Sequence, residues 1–231
     1  MDGNPVLVGH TKSKDFPVFN ARQPGYGGRQ DAFMAKLDSA DGDLIFSSYH
    51  GGNRKDKAQA VATDGLGGIV VVGLTKSKKD FPLQNAYQTS LGGGTDAFVS
   101  KLSADGAEWI YSTYLGGKRT DEALTVAMDA DGAAHIAGYT GSKKSFPLTA
   151  SVQTGYGGGS KDAFLAKFRA DGDLVFSSYF GGQKKESVQG IVAPTTTGIF
   201  VTGTTESWKD FPFSPTAIQG NRMIIFEGNR L

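Results

Sequence analysis

The sequence contains no cysteine, which removes a disulfide framework and a thiol catalyst and leaves the redox compartment open. Histidine is scarce. His10, His50 and His135 fall at different positions of the pattern described below, opposite Leu74, Leu115 and Val70, so no three-histidine metal site is expected within one chain. Long apolar runs are missing too, since none approaches the roughly 18 residues of a membrane span. The opening MDGNPVLVGHT has neither a basic nor an apolar leader region, so a soluble chain with no membrane span and no address is expected. A net charge of +1 argues against a globally basic nucleic-acid binder. No Ser/His/Asp set and no pair of working carboxylates can be assembled from spacing alone, and no cofactor is expected.

Glycine is plentiful: 33 of 231 residues, about twice its ordinary share. Much of it is periodic. Phe-Pro recurs at Phe16-Pro17, Phe81-Pro82, Phe146-Pro147 and Phe211-Pro212, each 65 residues after the last, so one unit is written about three and a half times. Asp-Ala-Phe recurs at Asp31, Asp96 and Asp162, with a lysine three residues beyond the phenylalanine at Lys36, Lys101 and Lys167. Tyr49, Tyr114 and Tyr179 each precede a glycine pair by one residue. Long-period self-similarity marks solenoids, propellers and arrays. A residue type present in every unit is more economically explained by a fold requirement than by one active site. The units run approximately over 1–57, 58–122, 123–187 and 188–231, within a single domain.

Each unit holds four short β-forming runs bounded by glycine and aspartate. In the second unit these are 58–64 (a), 68–75 (b), 96–102 (c) and 108–115 (d), with Asp-Gly turns such as Asp105-Gly106 closing hairpins. The long b–c connection carries Phe-Pro and a glycine cluster. Four antiparallel strands repeated around an axis describe a β-propeller blade. The stretches DAFLAKFRADGDLVFSSYFGG and DAFVSKLSADGAEWIYSTYLGG, with Gly-x-Thr-x-Ser-x-x-x-Phe-Pro, resemble the bacterial SBBP repeat, named for a seven-bladed β-propeller. The resemblance covers nearly the whole chain. It implies a propeller, often of bacterial surface or secreted proteins, without a common catalytic activity.

The first unit lacks strand a, and the last stops after a, b and a shortened c at MIIFEG (223–228), so 14 strands in 3 + 4 + 4 + 3 order are expected. An open half-ring leaves exposed edges. Closure by a second copy is one remedy, as seven four-stranded blades or as eight with some three-stranded ones; a fragment of a larger propeller is the equal alternative. The apolar Met223-Ile224-Ile225-Phe226 in the aberrant stretch 220–231 is the candidate for self-association into a dimer.

Strand reversal places the b–c and d–a loops at one end of each sheet and the a–b and c–d turns at the other. The loops hold 18 of the 24 basic residues, tempered by eleven acids that include Asp31, Asp56, Asp96, Asp121, Asp162 and Glu186; the turns are acidic. Lys76, Lys78, Lys79, Lys118, Arg119, Lys143, Lys144, Lys184 and Lys185 are therefore the candidate ligand-binding residues, suited to a salt-sensitive, poorly selective hold on a polyanion. The bland alternative is a solvated loop face. GYGGGSK (155–161) lacks phosphate-loop spacing and is read as a turn. Asp129-x-Asp131-Gly132 and Asp41-Gly42-Asp43 lack the further ligands of a calcium loop and are read as hairpin turns. The lysine after Asp-Ala-Phe is expected to form a repeated structural ion pair, and the phenylalanine of Phe-Pro to plug the gap between adjacent blades.

Three function classes follow: a non-enzymatic binding or scaffold module whose rim or central pocket holds a protein, peptide or glycan; a polyanion-binding surface protein using the lysine-rich face; and an enzyme with an axial site, for which the sequence offers no candidate cluster.

Overall fold

The computed structural model describes residues 3–65, 67–193 and 198–212. Within them, 13 strands form four antiparallel sheets and there is no helix. Sheet 1 contains β1 (Val6–Thr11), β2 (Asp31–Leu37) and β3 (Leu44–His50). Sheet 2 contains β4 (Asp56–Thr63), β5 (Ile69–Thr75), β6 (Asp96–Leu102) and β7 (Trp109–Leu115). Sheet 3 contains β8 (Asp121–Met128), β9 (Ala134–Thr140), β10 (Asp162–Phe168) and β11 (Leu174–Phe180). Sheet 4 has β12 (Glu186–Val192) and β13 (Phe200–Thr205). The expected fourteenth strand, and with it Met223, Ile224, Ile225 and Phe226, lies outside the described residues. Strand order follows chain order, so each strand pairs with its neighbours in sequence even across the long b–c connection.

Strand a begins two residues earlier than its apolar pattern implies. The register pairs Asp56 with Thr75 and Asp121 with Thr140, so an acid heads the strand instead of ending the loop. Each a strand then bulges, between Ala58 and Ala60, Ala123 and Thr125, or Val188 and Gly190. The bulge throws a carbonyl against strand b. A side chain at Gly73, Gly138 or Gly203 would overlap the carbonyl oxygen of Lys57, Glu122 or Ser187, which explains a glycine inside an otherwise apolar strand.

Both faces of β5 are buried, so it reads as the continuous run IVVVGLT and not as an alternating strand. Ile69, Val71 and Phe98 pack with Ala32, Met34 and Phe46 of sheet 1. Val70, Val72 and Val99 pack with Val126, Ile136 and Phe164 of sheet 3. Each junction is closed by the last residue of strand d, which meets the Phe-Pro phenylalanine of the following sheet. The ring centroids of His50 and Phe81 are 4.8 Å apart and those of Phe180 and Phe211 are 4.9 Å apart, while Leu115 and Phe146 share one cluster. Phe81, Phe146 and Phe211 are each 5 % exposed. The plug between adjacent sheets is therefore real, and burying each ring contributes on the order of 2 kcal/mol or more.

The tyrosine before each glycine pair pins the long loop. The hydroxyls of Tyr49, Tyr114 and Tyr179 donate to the carbonyls of Ser13, Ser77 and Ser142 at 3.0, 2.7 and 2.6 Å.

Candidate functional site

At the loop end, each d–a loop lies against the b–c loop of the sheet that follows it. The Arg54, Arg119 and Lys184 amides donate to the hydroxyls of Ser77, Ser142 and Ser207 at 2.9, 2.9 and 2.8 Å. The Lys76 amide donates to the Lys55 carbonyl at 2.9 Å, and Lys118 N–H to Ser145 Oγ at 2.8 Å. Cations separated by some twenty residues of sequence are thereby brought side by side on hydrogen-bonded backbone. Lys76, Lys78 and Lys79 adjoin Arg54 and Lys55; Lys118 and Arg119 adjoin Lys143 and Lys144. Lys184 and Lys185 adjoin Lys209 but also Glu206 and Asp210, whose carboxylate accepts the Gln183 amide at 2.7 Å. All nine candidate side chains are exposed.

Aromatic rings interleave with this face around sheet 3. Lys161 Nζ lies 3.3 Å from the Tyr139 ring centroid, and Lys143 Nζ lies 5.3 Å from that of Tyr156. Burial first, and the neighbouring Lys185 second, hold the Lys161 ammonium below its ordinary pKa, with Glu122 acting in the opposite sense. Sequence reasoning counted Lys161 only as one loop charge. The glycine run before it, and a tyrosine that takes the place of Leu74 in the preceding sheet, were the available signals.

Six of the acids that appeared to dilute this face are not on it. Asp31, Asp56, Asp96, Asp121 and Asp162 are 0 % exposed and Glu186 is 2 % exposed. They form three pairs beneath the glycine loops. The strand-c acids are capped by loop amides: Gly27 N–H to Asp31 at 2.6 Å, Gly92 N–H to Asp96 at 2.7 Å and Gly157 N–H to Asp162 at 2.5 Å. Gln88 Nε2 adds a bond to Asp96 at 2.9 Å. The strand-a acids are held by hydroxyls and a glycine amide. Asp56 accepts from Thr75, from Ser77 at 2.8 Å and from Gly52 N–H at 2.8 Å; Asp121 accepts from Thr140, Ser142 and Gly117 in the same way. Gly51 and Gly116 lie between the paired carboxylates, where any side chain would strike both.

Burial, and secondarily the facing carboxylate, push the Asp31 and Asp96 carboxyls up to about 6 and Asp162 up to about 7, while the amide bonds pull them down. Burial likewise raises Asp56, Asp121 and Glu186 against their hydrogen bonds. The pairs recur at every junction and are shut from solvent, so they act as structural locks and not as acid–base machinery.

At the turn end the expected ion pair is present in sheets 2 and 3. Lys101 Nζ lies 3.4 Å from Asp64 and donates to the Gly132 carbonyl at 2.9 Å; Lys167 Nζ lies 3.2 Å from Asp129. Lys36 donates to the Ala104 carbonyl of the next sheet at 2.9 Å. The turn aspartates behave as hairpin residues: Asp129 accepts the amides of Asp131 and Ala133, and Asp41 that of Asp43. Among the described residues no group of three or more potential metal ligands forms. His50 is buried between sheets 1 and 2, and His135 bonds Asp129 at 2.9 Å. Among the described residues no helix is long and apolar enough to cross a membrane. No known protein family and no curated protein matches the chain.

Proposed function

We propose that the chain is a non-enzymatic binding or scaffold module: part of a β-propeller of the SBBP-repeat type, with its sheets as blades, which assembles with a second copy and holds an anionic partner on its loop face. One observation carries this reading. The loops gather exposed cations from separate parts of the sequence, while six of the eleven acids that share those loops are buried below them, so the face is more basic than the sequence implies. Lysines on hydrogen-bonded backbone act as point charges, which suits a sulfated glycan or another polyanion better than a ligand needing bidentate recognition.

The reading is tested on a heparin column at low salt. Wild-type protein is retained and elutes as salt rises. Reversing Lys76, Lys78, Lys79, Lys143 and Lys144 to Glu abolishes retention while leaving the thermal melt in place, because all five are exposed. Equal retention of the variant overturns the proposal. Light scattering on the same samples reads the assembly state.

A further inference from the structure

In sheets 2, 3 and 4, strand b has an acid-headed strand on one side: β4 on β5, β8 on β9 and β12 on β13. The acid is received by a Thr-x-Ser pair at the end of strand b. Ser77 and Ser142 each donate to their aspartate at 2.8 Å, and Thr205 donates to Glu186 at 2.8 Å. Within each pair the serine amide bonds the threonine hydroxyl oxygen, at 3.0 Å for Ser77, 2.9 Å for Ser142 and 2.9 Å for Ser207, which presets both hydroxyls.

β1 is strand b of sheet 1, and among the described residues it pairs only with β2. It carries the same receiver. Thr11 and Ser13 stand where Thr75 and Ser77 stand, and the Ser13 amide bonds Thr11 Oγ1 at 3.0 Å. Thr75 and Ser77 are 0 % exposed beneath their aspartate, whereas Thr11 is half-buried and Ser13 exposed. The apolar positions repeat the contrast. Leu7 is 48 % exposed where its equivalents Val71 and Ile136 are 0 % exposed. β4 flanks β1 just as β8 flanks β5, so the neighbouring sheet leaves the β1 edge in the geometry that takes a further strand elsewhere.

We propose that β1 is a strand acceptor. It takes, in antiparallel register on the edge that no described residue occupies, an extended segment of another polypeptide that places Asp or Glu opposite Thr11, followed by the pattern x-Ala/Val-x-x-Val/Ile. That pattern is the one the chain itself uses on the equivalent edges, in Asp56-x-Ala58-x-x-Val61, Asp121-x-Ala123-x-x-Val126 and Glu186-x-Val188-x-x-Ile191. Main-chain bonds supply affinity, as in any strand addition. The hydroxyl pair supplies selection, because a carboxylate accepting two hydroxyl bonds gains more than a neutral group does. The inference rests on the equivalence of the sheets and is independent of the basic face.

A labelled peptide copying residues 118–128 is titrated into the full 231-residue chain and followed by fluorescence anisotropy. The expected result is saturable binding that protects the 6–11 amides from hydrogen exchange. Binding weakens about tenfold when the peptide's aspartate is replaced by asparagine, and similarly with the Thr11→Val/Ser13→Ala chain. Those two side chains are partly or fully exposed, so the variant retains its melt. Absence of saturable binding overturns the proposal. So does equal binding of the asparagine peptide or of the variant chain, and so do 6–11 amides already protected by self-association that the peptide does not displace.

Discussion

The two ends of the same strands bury acids by opposite means. At the turn end a lysine answers the carboxylate: Lys101 and Asp64 have side chains 5 % and 9 % exposed and stand 3.4 Å apart. At the loop end Asp31, Asp96 and Asp162 receive amide bonds, and each faces a second acid, while the many lysines of those loops point into water. The consequence shows in their protonation. Burial alone would raise Asp129, but bonds from His135, Ala133 and Lys167 more than offset it and hold its carboxyl below the ordinary range. Asp162 at the other end is pushed up to about 7. Neutral dipoles bond a buried carboxylate without cancelling its charge, so the loop-end carboxyls are raised towards neutral pH whereas Asp129 is held on the acid side of its ordinary range.

Breaking the lysine at the turn end gives the largest effect. Lys101→Met leaves Asp64 buried without its cation and the Gly132 carbonyl without its donor, and is expected to cost about 3–5 kcal/mol in a denaturant or thermal melt. Lys167→Met, at a side chain 21 % exposed, costs less. A Lys101→Met protein within about 1 kcal/mol of wild type would show that the ion pair is incidental, and the contrast between the ends would collapse.

The loop end is probed next, by pH. The native carboxyls of Asp31 and Asp96 are raised to about 6 and that of Asp162 to about 7, against an ordinary 3.8. Between those values the native state binds protons that the unfolded chain has released, so this contribution to stability is present at the acid side of the window and is lost as pH rises through it. The melting temperature is therefore expected to be higher near pH 5 than near pH 8. Asp96→Asn, which mimics the protonated form, flattens that slope. A melting temperature that rises steadily from pH 5 to pH 8 would mean that the amide bonds outweigh burial and would erase the difference between the two ends.

These two classes of buried acid were unequally legible. Strand c in the second unit has the bounds that its apolar pattern implies, Asp96–Leu102, and the lysine of that motif finds its aspartate as expected. The phenylalanine plug follows from the recurrence of Phe-Pro itself. The carboxylate pairs did not follow, because aspartate next to glycine in a loop ordinarily faces water, and their receivers Thr75 and Ser77 lie 19 and 21 residues away in sequence. A signal was nevertheless present. Acids at 56, 121 and 186 keep step with Thr-x-Ser as strictly as phenylalanine keeps step with proline, and a charge that repeats like a core residue belongs to the interior. In the second unit strand a starts at Asp56, two residues ahead of its apolar pattern, for the same reason.

His50 supplies the smallest perturbation and the one of opposite sign. Its ring lies among Phe81, Phe98 and Trp109, with Nε2 2.8 Å from Ser100 Oγ and Nδ1 buried without a hydrogen-bond partner among the described residues. Burial lowers its pKa from 6.5 to about 3. The unfolded chain therefore takes up a proton below 6.5 that the native ring refuses, and stability is lost as pH falls from there towards 3. Leucine fills the equivalent place at Leu115, and Ser100 keeps Ser112 as a partner at 2.8 Å. His50→Leu is thus expected to change stability by about 1 kcal/mol or less near pH 7 and to stabilise near pH 5. Removing this ring, which opposes the carboxylates in the same sense as the lowered His135, steepens the pH slope of the melting temperature. An unchanged slope would mean that the ring already ionises in place, and that the junction between sheets 1 and 2 is wetter than its packing shows.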